Sequence, residues 1–342
     1  MTLRKLVICT CFLYSHNRNG NMIKFGIIGL GKIAHKFAQD LITVDGCILQ
    51  AVGSRELTKA KDFATIYKAR HYYSSYEELV ADPTVDIVYI ATPHALHFNH
   101  TMLCLQAGKA VICEKPFAMN LKEVEIMINT AREKQLFLME ALWTRFIPST
   151  LQVMELMDQN TIGEVHSIQA NFGYLATTDP SSRLMAKELG GGSLLDIGIY
   201  PIFISMLLLG TPIETKCIAQ LTTTGIDQHC AMLMKFKNGA TATLESSFLS
   251  ETSNTAIIFG SKGKIIMHAP FHHTEKITVE IHDKKPYTMR IPYINNGYVH
   301  EIEEVRNCIL SGQLQSHQMS HLHSYELIIT LDLIRSQINV TY

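Results

Sequence analysis

Gly29-Leu30-Gly31-Lys32-Ile33-Ala34 fits the pattern Gly-x-Gly-x-x-Ala, and it lies between an apolar β-rich run and a segment of helical periodicity. In that context each small residue has a task. Gly29 permits a tight turn, Gly31 lets the backbone approach a pyrophosphate, and Ala34 allows a helix to pack close on a strand. The anion would rest on the helix start, at Lys32 and Ile33. The competing reading is a glycine-rich turn that holds nothing.

A second constellation bears on which dinucleotide. The next strand ends at Gly53-Ser54-Arg55, where a carboxylate would take a ribose 2′-hydroxyl. The first acid is Glu56, one residue later. Ser54 and Arg55 suit a 2′-phosphate instead, with Lys59 in support. This puts NADP ahead of NAD, although Glu56 swung inward would favour NAD, and Arg55 as a solvated surface residue is the bland alternative.

Ligands of a doubly wound sheet bind beyond the carboxyl ends of its strands. Two more strands end at Thr92-Pro93-His94-Ala95-Leu96-His97 and Glu114-Lys115-Pro116. Thr92, His94, His97, Glu114 and Lys115 are therefore expected near the nicotinamide side of the crevice. An ordinary loop ion pair and a helix-start histidine explain them equally well. Farther on, Gly190-Gly191-Gly192 leads into Ser193-Leu194-Leu195-Asp196-Ile197-Gly198-Ile199-Tyr200-Pro201. Asp196 and Tyr200 stand on one face if this segment is helical. Pro201 is expected to kink or restart it. A helix capped by Ser193 with an incidental tyrosine is the other reading.

The elements that must position these residues follow from periodicity. Residues 23–28, 48–52, 85–91, 110–113 and 137–139 read as strands. Residues 33–42, 57–64, 76–80, 98–107 and 121–133 read as helices between them. Such alternation implies an α/β domain with a parallel sheet, expected over 22–145. From 146 to 342 the texture changes. A helix at 151–158 precedes strands at 165–170, 216–220, 231–236, 240–248, 254–259 and 264–267, and helices at 298–310 and 324–337 close the chain. Asn238-Gly239 and residues 260–263 are turn signals, so this part reads as an α+β domain with a mainly antiparallel sheet.

Composition narrows the function classes. The chain has 342 residues, 47% of them hydrophobic and 18% charged, which suits two packed domains. A net charge of −1 gives no electrostatic case for nucleic acid or an anionic membrane. No Cys-x-x-Cys occurs among the eight cysteines, which reads as free thiols in a reducing cytoplasm. His268/His272 and His317/His321 have a four-residue spacing, but Pro270 breaks the first pair, no Glu follows either leading His, and no metal is expected. Residues 1–21 read as a disordered leader or an early start ahead of Met22, since the apolar run 6–14 lacks a cleavage signal. No other apolar run is long enough to suggest a membrane span.

Taken together, the glycine turn, Glu114-Lys115-Pro116 and the 190–200 segment resemble the glucose–fructose oxidoreductase, inositol dehydrogenase and rhizopine-catabolism family (Gfo/Idh/MocA) from Met22 to Val340. Many members carry His where this chain has Tyr200. Tyr200, with residues 139–146, resembles the branch containing dimeric dihydrodiol dehydrogenase and NADP-linked D-xylose dehydrogenase. The resemblance implies a Rossmann domain followed by a large open sheet that often forms a homodimer interface. It implies Tyr200 as acid/base, Lys115 beside the nicotinamide ribose and the reacting oxygen, and Asp196 holding substrate or that pair. His97 would stand near the cofactor, and Trp143 and Arg145 would line the substrate pocket. The substrate it implies is a sugar or polyol, with an aromatic trans-dihydrodiol, or a regulator that senses NAD(P) without turnover, as alternatives.

Overall fold

A computed structural model describes residues 22–177, 179 and 181–342; the expected leader lies outside them. The first half alternates strand and helix: β1 (Ile23–Ile28), α1 (Lys32–Leu41), β2 (Cys47–Gly53), α2 (Leu57–Tyr67), β3 (His71–Tyr73), α3 (Tyr76–Ala81), β4 (Ile87–Ile90), α4 (His97–Gln106), β5 (Ala110–Glu114), α5 (Leu121–Glu133) and β6 (Leu138–Ala141). Its strands pair in the order β3-β2-β1-β4-β5-β6, all parallel. Strands 1, 4 and 5 are mainly apolar and, apart from Lys24 and Glu114, buried, because helices cover both faces. The order reverses between β1 and β4, so a crevice opens where the Gly29 turn meets the end of β4.

The second half contains α6 (Pro148–Asp158), β7 (Val165–Gly173), α7 (Ile199–Leu209), β8 (Glu214–Leu221), β9 (Asp227–Lys235), β10 (Thr241–Ser247), β11 (Ala256–Gly260), β12 (Gly263–Met267), β13 (Lys276–Ile281), β14 (Tyr287–Arg290), α8 (Val299–Leu310) and α9 (His321–Gln337). Eight strands form one open sheet, β14-β13-β12-β11-β7-β10-β9-β8. Every neighbouring pair is antiparallel except β7 with β10, where Ala170 lies opposite Leu244 in parallel register. One face packs on α7; the other leaves Ile218 and Leu233 exposed.

Three strands lack a sequence expectation. β3 has only three residues, and β14 is an edge with no fully buried residue, so neither carries an apolar pattern. β13, KITVEI, alternates polar and apolar at every position and buries Ile277 and Val279, a period-2 strand signal that the expectation lacks. The stretch Lys187–Leu209 is long and apolar enough to cross a membrane by length and composition, contrary to the expectation that no such run exists, yet it is mostly buried inside the second domain. The last helices return to the first domain: α8 packs on α1 and α9 on α5. Helix α9 starts at His321, earlier than expected, because Ser320 caps it in a reciprocal box with His323.

Candidate active site

Helices α3 and α5 are capped by Ser75 and Asn120 side chains, which accept from Glu78 N at 3.1 Å and Glu123 N at 3.0 Å. Helix α1 has no such cap and no acid in its first turn. Its opening amides, at Lys32, Ile33 and Ala34, are left for an anion. Gly29 has φ +82, and a Cβ there would lie 2.6 Å from the Ala91 carbonyl and the Thr92 nitrogen. Only glycine fits. At Gly31 a Cβ would meet nothing within 4 Å, so the space above the helix start is open. Ala34 is fully buried against the sheet, whereas Lys32 and Ile33 are exposed. The turn therefore fits a dinucleotide pyrophosphate.

Ser54 is buried at the end of β2, and its Oγ accepts from Glu56 N at 3.2 Å. Arg55, Glu56 and Lys59 are exposed beside it at the start of α2. Thr92 Oγ1 lies 2.9 Å from His100 Nδ1. His97 is fully buried, with Nδ1 2.7 Å from the Pro116 carbonyl and Nε2 2.8 Å from the Thr92 carbonyl. Burial is the largest influence on it and pulls its pKa down to about 4, against both carbonyls. His97 thus ties the end of β4 to the Lys115–Pro116 turn, whose peptide is cis.

The 190–200 segment joins these residues from the other domain. Residues Leu194–Gly198 form a wide π-type turn that runs without interruption into α7. Contrary to expectation the helix does not restart at Pro201; the change of winding falls at Gly198. At π spacing an N–H reaches back five residues, from 201 to 196. Pro201 has no N–H to give. The Lys115 ammonium takes the Asp196 carbonyl, with Nζ 2.5 Å from the oxygen. Nζ also lies 3.7 Å from Asp196 Oδ1 and 4.9 Å from the centre of the Tyr200 ring. Asp196 and Tyr200 therefore do converge on Lys115.

Other side chains complete the cluster. Arg183 donates to Asp196 Oδ1 at 3.0 Å, and His94 Nε2 lies 3.7 Å from the same oxygen while its Nδ1 faces the Gly190 carbonyl at 3.2 Å. The Trp143 indole N–H donates to the Tyr200 hydroxyl at 3.2 Å. His272 packs against Tyr200 and Phe172, with ring centres 4.6 and 4.5 Å apart. Glu114 stands behind Lys115 and accepts from Tyr89 at 2.5 Å. Arg145, expected in the pocket wall, gives its Nε hydrogen bond to the Gln318 carbonyl at 2.8 Å. Arg183 has no motif to announce it, and His272 carries no signal except the histidine pair weighed for metal.

Electrostatics set the protonation states. Burial pulls Lys115 down, but Tyr200, Asp196 and Glu114 outweigh it and the amine stays an ammonium. Burial pushes Asp196 up, but the Lys115 and Arg183 cations overcome that and hold it at about 2. His94 and His272 are neutral, chiefly from burial. For Tyr200 burial is again the largest influence and raises the phenol; Lys115 and the Trp143 N–H pull it down, while Glu114 pushes it up. Burial therefore opposes the lowering that a lysine neighbour alone would give.

Residues 23–142 match the family model described as "Oxidoreductase family, NAD-binding Rossmann fold", and residues 150–266 match "GFO/IDH/MocA C-terminal domain". The trans-1,2-dihydrobenzene-1,2-diol dehydrogenase of Danio rerio is 39% identical over 329 residues, covering 94% of this chain and 98% of the relative. The Homo sapiens protein of that name is 34% identical with the same coverage. A 3-ketoreductase from Actinomadura kijaniata, crystallised with NADP and TDP-benzene, superposes with a TM-score of 0.84 at 27% identity, over 93% of this chain and 98% of the other. The aldose-aldose oxidoreductase of Caulobacter crescentus shares the fold, with a TM-score of 0.83 at 23% identity over 93% and 98%. With both family models matched in order and relatives aligned over most of its length, the chain belongs to the Gfo/Idh/MocA family and is an NAD(P)-binding oxidoreductase.

Proposed function

We propose that the protein is an NADP-linked dehydrogenase that acts on a hydroxyl-bearing carbon of a cyclic vicinal diol. The observation that carries this reading is the meeting of Lys115, Asp196 and Tyr200 beyond the strand ends, with Nζ 4.9 Å from the Tyr200 ring. Gly29, Gly31, Lys32, Ile33 and Ala34 hold the pyrophosphate. Ser54, Arg55 and Lys59 hold the 2′-phosphate, and Thr92, His94, His97 and Glu114 shape the nicotinamide end. When bound, the dinucleotide accepts hydride in oxidation and supplies it in reduction. In oxidation the Tyr200 phenolate takes the substrate hydroxyl proton, and the Lys115 ammonium stabilises that phenolate. In reduction the Tyr200 phenol returns the proton to the carbonyl oxygen. Asp196 holds Lys115 in place and offers an acceptor to a second substrate hydroxyl.

The names of the 34–39% relatives and the aromatic walls favour a trans-dihydrodiol over the sugar or polyol. Trp143, Phe172 and His272 all flank Tyr200. A sugar is the second reading, because such walls also stack on sugar faces. The test is turnover of purified protein with NADP and NAD against aromatic trans-dihydrodiols, aldoses and inositols. Tyr200→Phe is expected to cut kcat by about 10²–10⁴-fold while NADP still binds. Near-normal turnover in that variant would overturn the mechanism. A wild type that binds NADP but turns over no diol would favour a sensor.

A further inference from the structure

Among the described residues, Trp143 gives the Tyr200 hydroxyl its one side-chain donor, so whatever fixes the indole fixes that hydrogen bond. One face of the indole is covered by Tyr298, with ring centres 4.8 Å apart and planes within 7°. The His273 ring centre lies 4.9 Å from that of the indole, tilted by 32°. Gly297 has φ +94, and a Cβ there would sit 3.0 Å from the indole Cζ3 and 3.1 Å from Ile147 Cδ1. The loop that carries Gly297 and Tyr298 precedes α8. It is held from the other domain by Asp40, the fully buried next-to-last residue of α1. Asp40 accepts from Asn296 N at 3.2 Å, Asn296 Nδ2 at 2.8 Å, Tyr298 N at 2.9 Å and Val299 N at 3.3 Å. Thr43 adds a bond from Asn295 Nδ2 at 3.0 Å.

We propose that Asp40 and Gly297 are positioning residues for Tyr200: the helix that opens at the cofactor turn clamps the 295–299 loop, and the loop seats Trp143 so that its N–H stays on the Tyr200 hydroxyl. This rests on Tyr200 being the acid/base, but the hydrogen bond itself can be read without turnover. A donor to a phenolate lowers the phenol pKa, because it favours the charged form. Loss of a hydrogen bond to a charged group is expected to raise that pKa by about one unit.

Trp143 is the sole tryptophan of the chain, so indole emission reports this site alone. A phenolate beside an indole quenches it. The groups that face Tyr200 are Lys115, Asp196, Glu114 and His272, and those that face Trp143 are His272, His273 and Tyr298. Burial holds His273 down to about 4, far from any phenol; Tyr298 is raised by burial as Tyr200 is, and loss of the step in Tyr200→Phe separates the two. The experiment is a pH titration of emission in wild type, Tyr200→Phe, Gly297→Ala, Asp40→Ala and Asp40→Asn, with kcat and KM for the best substrate alongside. A quenching step is expected in wild type and absent in Tyr200→Phe. Its midpoint should rise by about one unit in Gly297→Ala and Asp40→Ala. The rise should be smaller in Asp40→Asn, which keeps an acceptor. Below the midpoint, kcat for oxidation should fall about tenfold with KM little changed. Gly297→Ala leaves the Asp40 bonds intact, so the test stands if Asp40→Ala does not fold. Wild-type midpoints in Gly297→Ala and Asp40→Asn, or no Tyr200-dependent step in wild type, would overturn the proposal. A shifted midpoint in a protein that oxidises no diol would sink the functional reading and leave the positioning intact.

Discussion

Residues 29–34 form the cofactor turn within one βα unit, and neighbours in sequence are neighbours in space. The proposed catalytic cluster is assembled from Lys115 after β5, Trp143 after β6, Arg183 in a loop, Asp196 and Tyr200 on the π-to-α segment, and His272 after β12. At the first site Gly29 cannot carry a side chain without striking Ala91 at the end of β4. The second depends on two domains meeting, with the Lys115 ammonium crossing to the Asp196 carbonyl. A local site can be weakened one ligand group at a time, whereas a composite site fails as a unit.

The largest expected effect is in the composite site. Lys115→Ala removes the ammonium that offsets burial of Tyr200 and leaves Asp196 with Arg183 and a neutral histidine. A fall in kcat of about 10²–10⁴-fold is expected, with cofactor affinity reduced far less. The pH dependence follows from the same pair. Oxidation needs the phenolate, so its rate should climb as pH approaches the raised Tyr200 pKa, and reduction, which needs the phenol, should fall over that range. In Lys115→Ala both limbs should move to higher pH, since the cation that lowers the pKa is gone. Unshifted limbs in steady-state profiles would break the contrast by showing that Tyr200 does not feel Lys115.

A smaller and more selective effect is expected at the local site. Arg55→Ala should weaken NADP by about tenfold or more in a fluorescence binding titration and leave NAD nearly untouched, because only the 2′-phosphate loses a charged partner. Equal losses would move the 2′-phosphate away from Arg55.

Local elements were legible for the same reason that the local site was. β1 and α5 fall on the expected residues 23–28 and 121–133, because an apolar run or an amphipathic helix with an Asn cap needs no distant information. The Gly29 turn, the place of Lys115 beyond a strand end and the shared face of Asp196 and Tyr200 were also legible, while the roles of Lys115 and Tyr200 came only through resemblance. Arg183 was not, because its meaning comes from Asp196, thirteen positions on and across a loop. His272 gains its place from ring packing on Phe172 and Tyr200, which no spacing encodes. Trp143 was expected as a wall; that it donates to Tyr200 depends on Tyr298 stacking behind it. The parallel pairing of β7 with β10 is likewise a matter of topology, not pattern.

The smallest expected effect lies on the seam between the two regions, at Glu140. It stands on β6 opposite Cys113, just before Lys115 on the neighbouring strand, and is 2% exposed. Oε1 accepts from Phe117 N at 2.9 Å, while Oε2 has no partner among the described residues. Burial is the largest influence and, with Glu114, raises its pKa to about 7, against the Ser324 hydroxyl, the Phe117 amide and Lys115. A folded pKa above the unfolded one means that the native state holds the proton more tightly. That contribution is fully present below the unfolded value and is lost as pH rises through about 7. Glu140→Gln keeps a carbonyl for Phe117 and never ionises. Its melting temperature should match wild type near pH 5 and exceed it near pH 8, by the equivalent of roughly 1–3 kcal/mol. Asp227, raised to about 6 by burial, contributes a similar slope to both proteins and cancels in the difference. Parallel melting curves across that range would show that Glu140 stays ionised in the fold, and that the seam beneath Lys115 carries a negative charge to which the ammonium, and through it Tyr200, must respond.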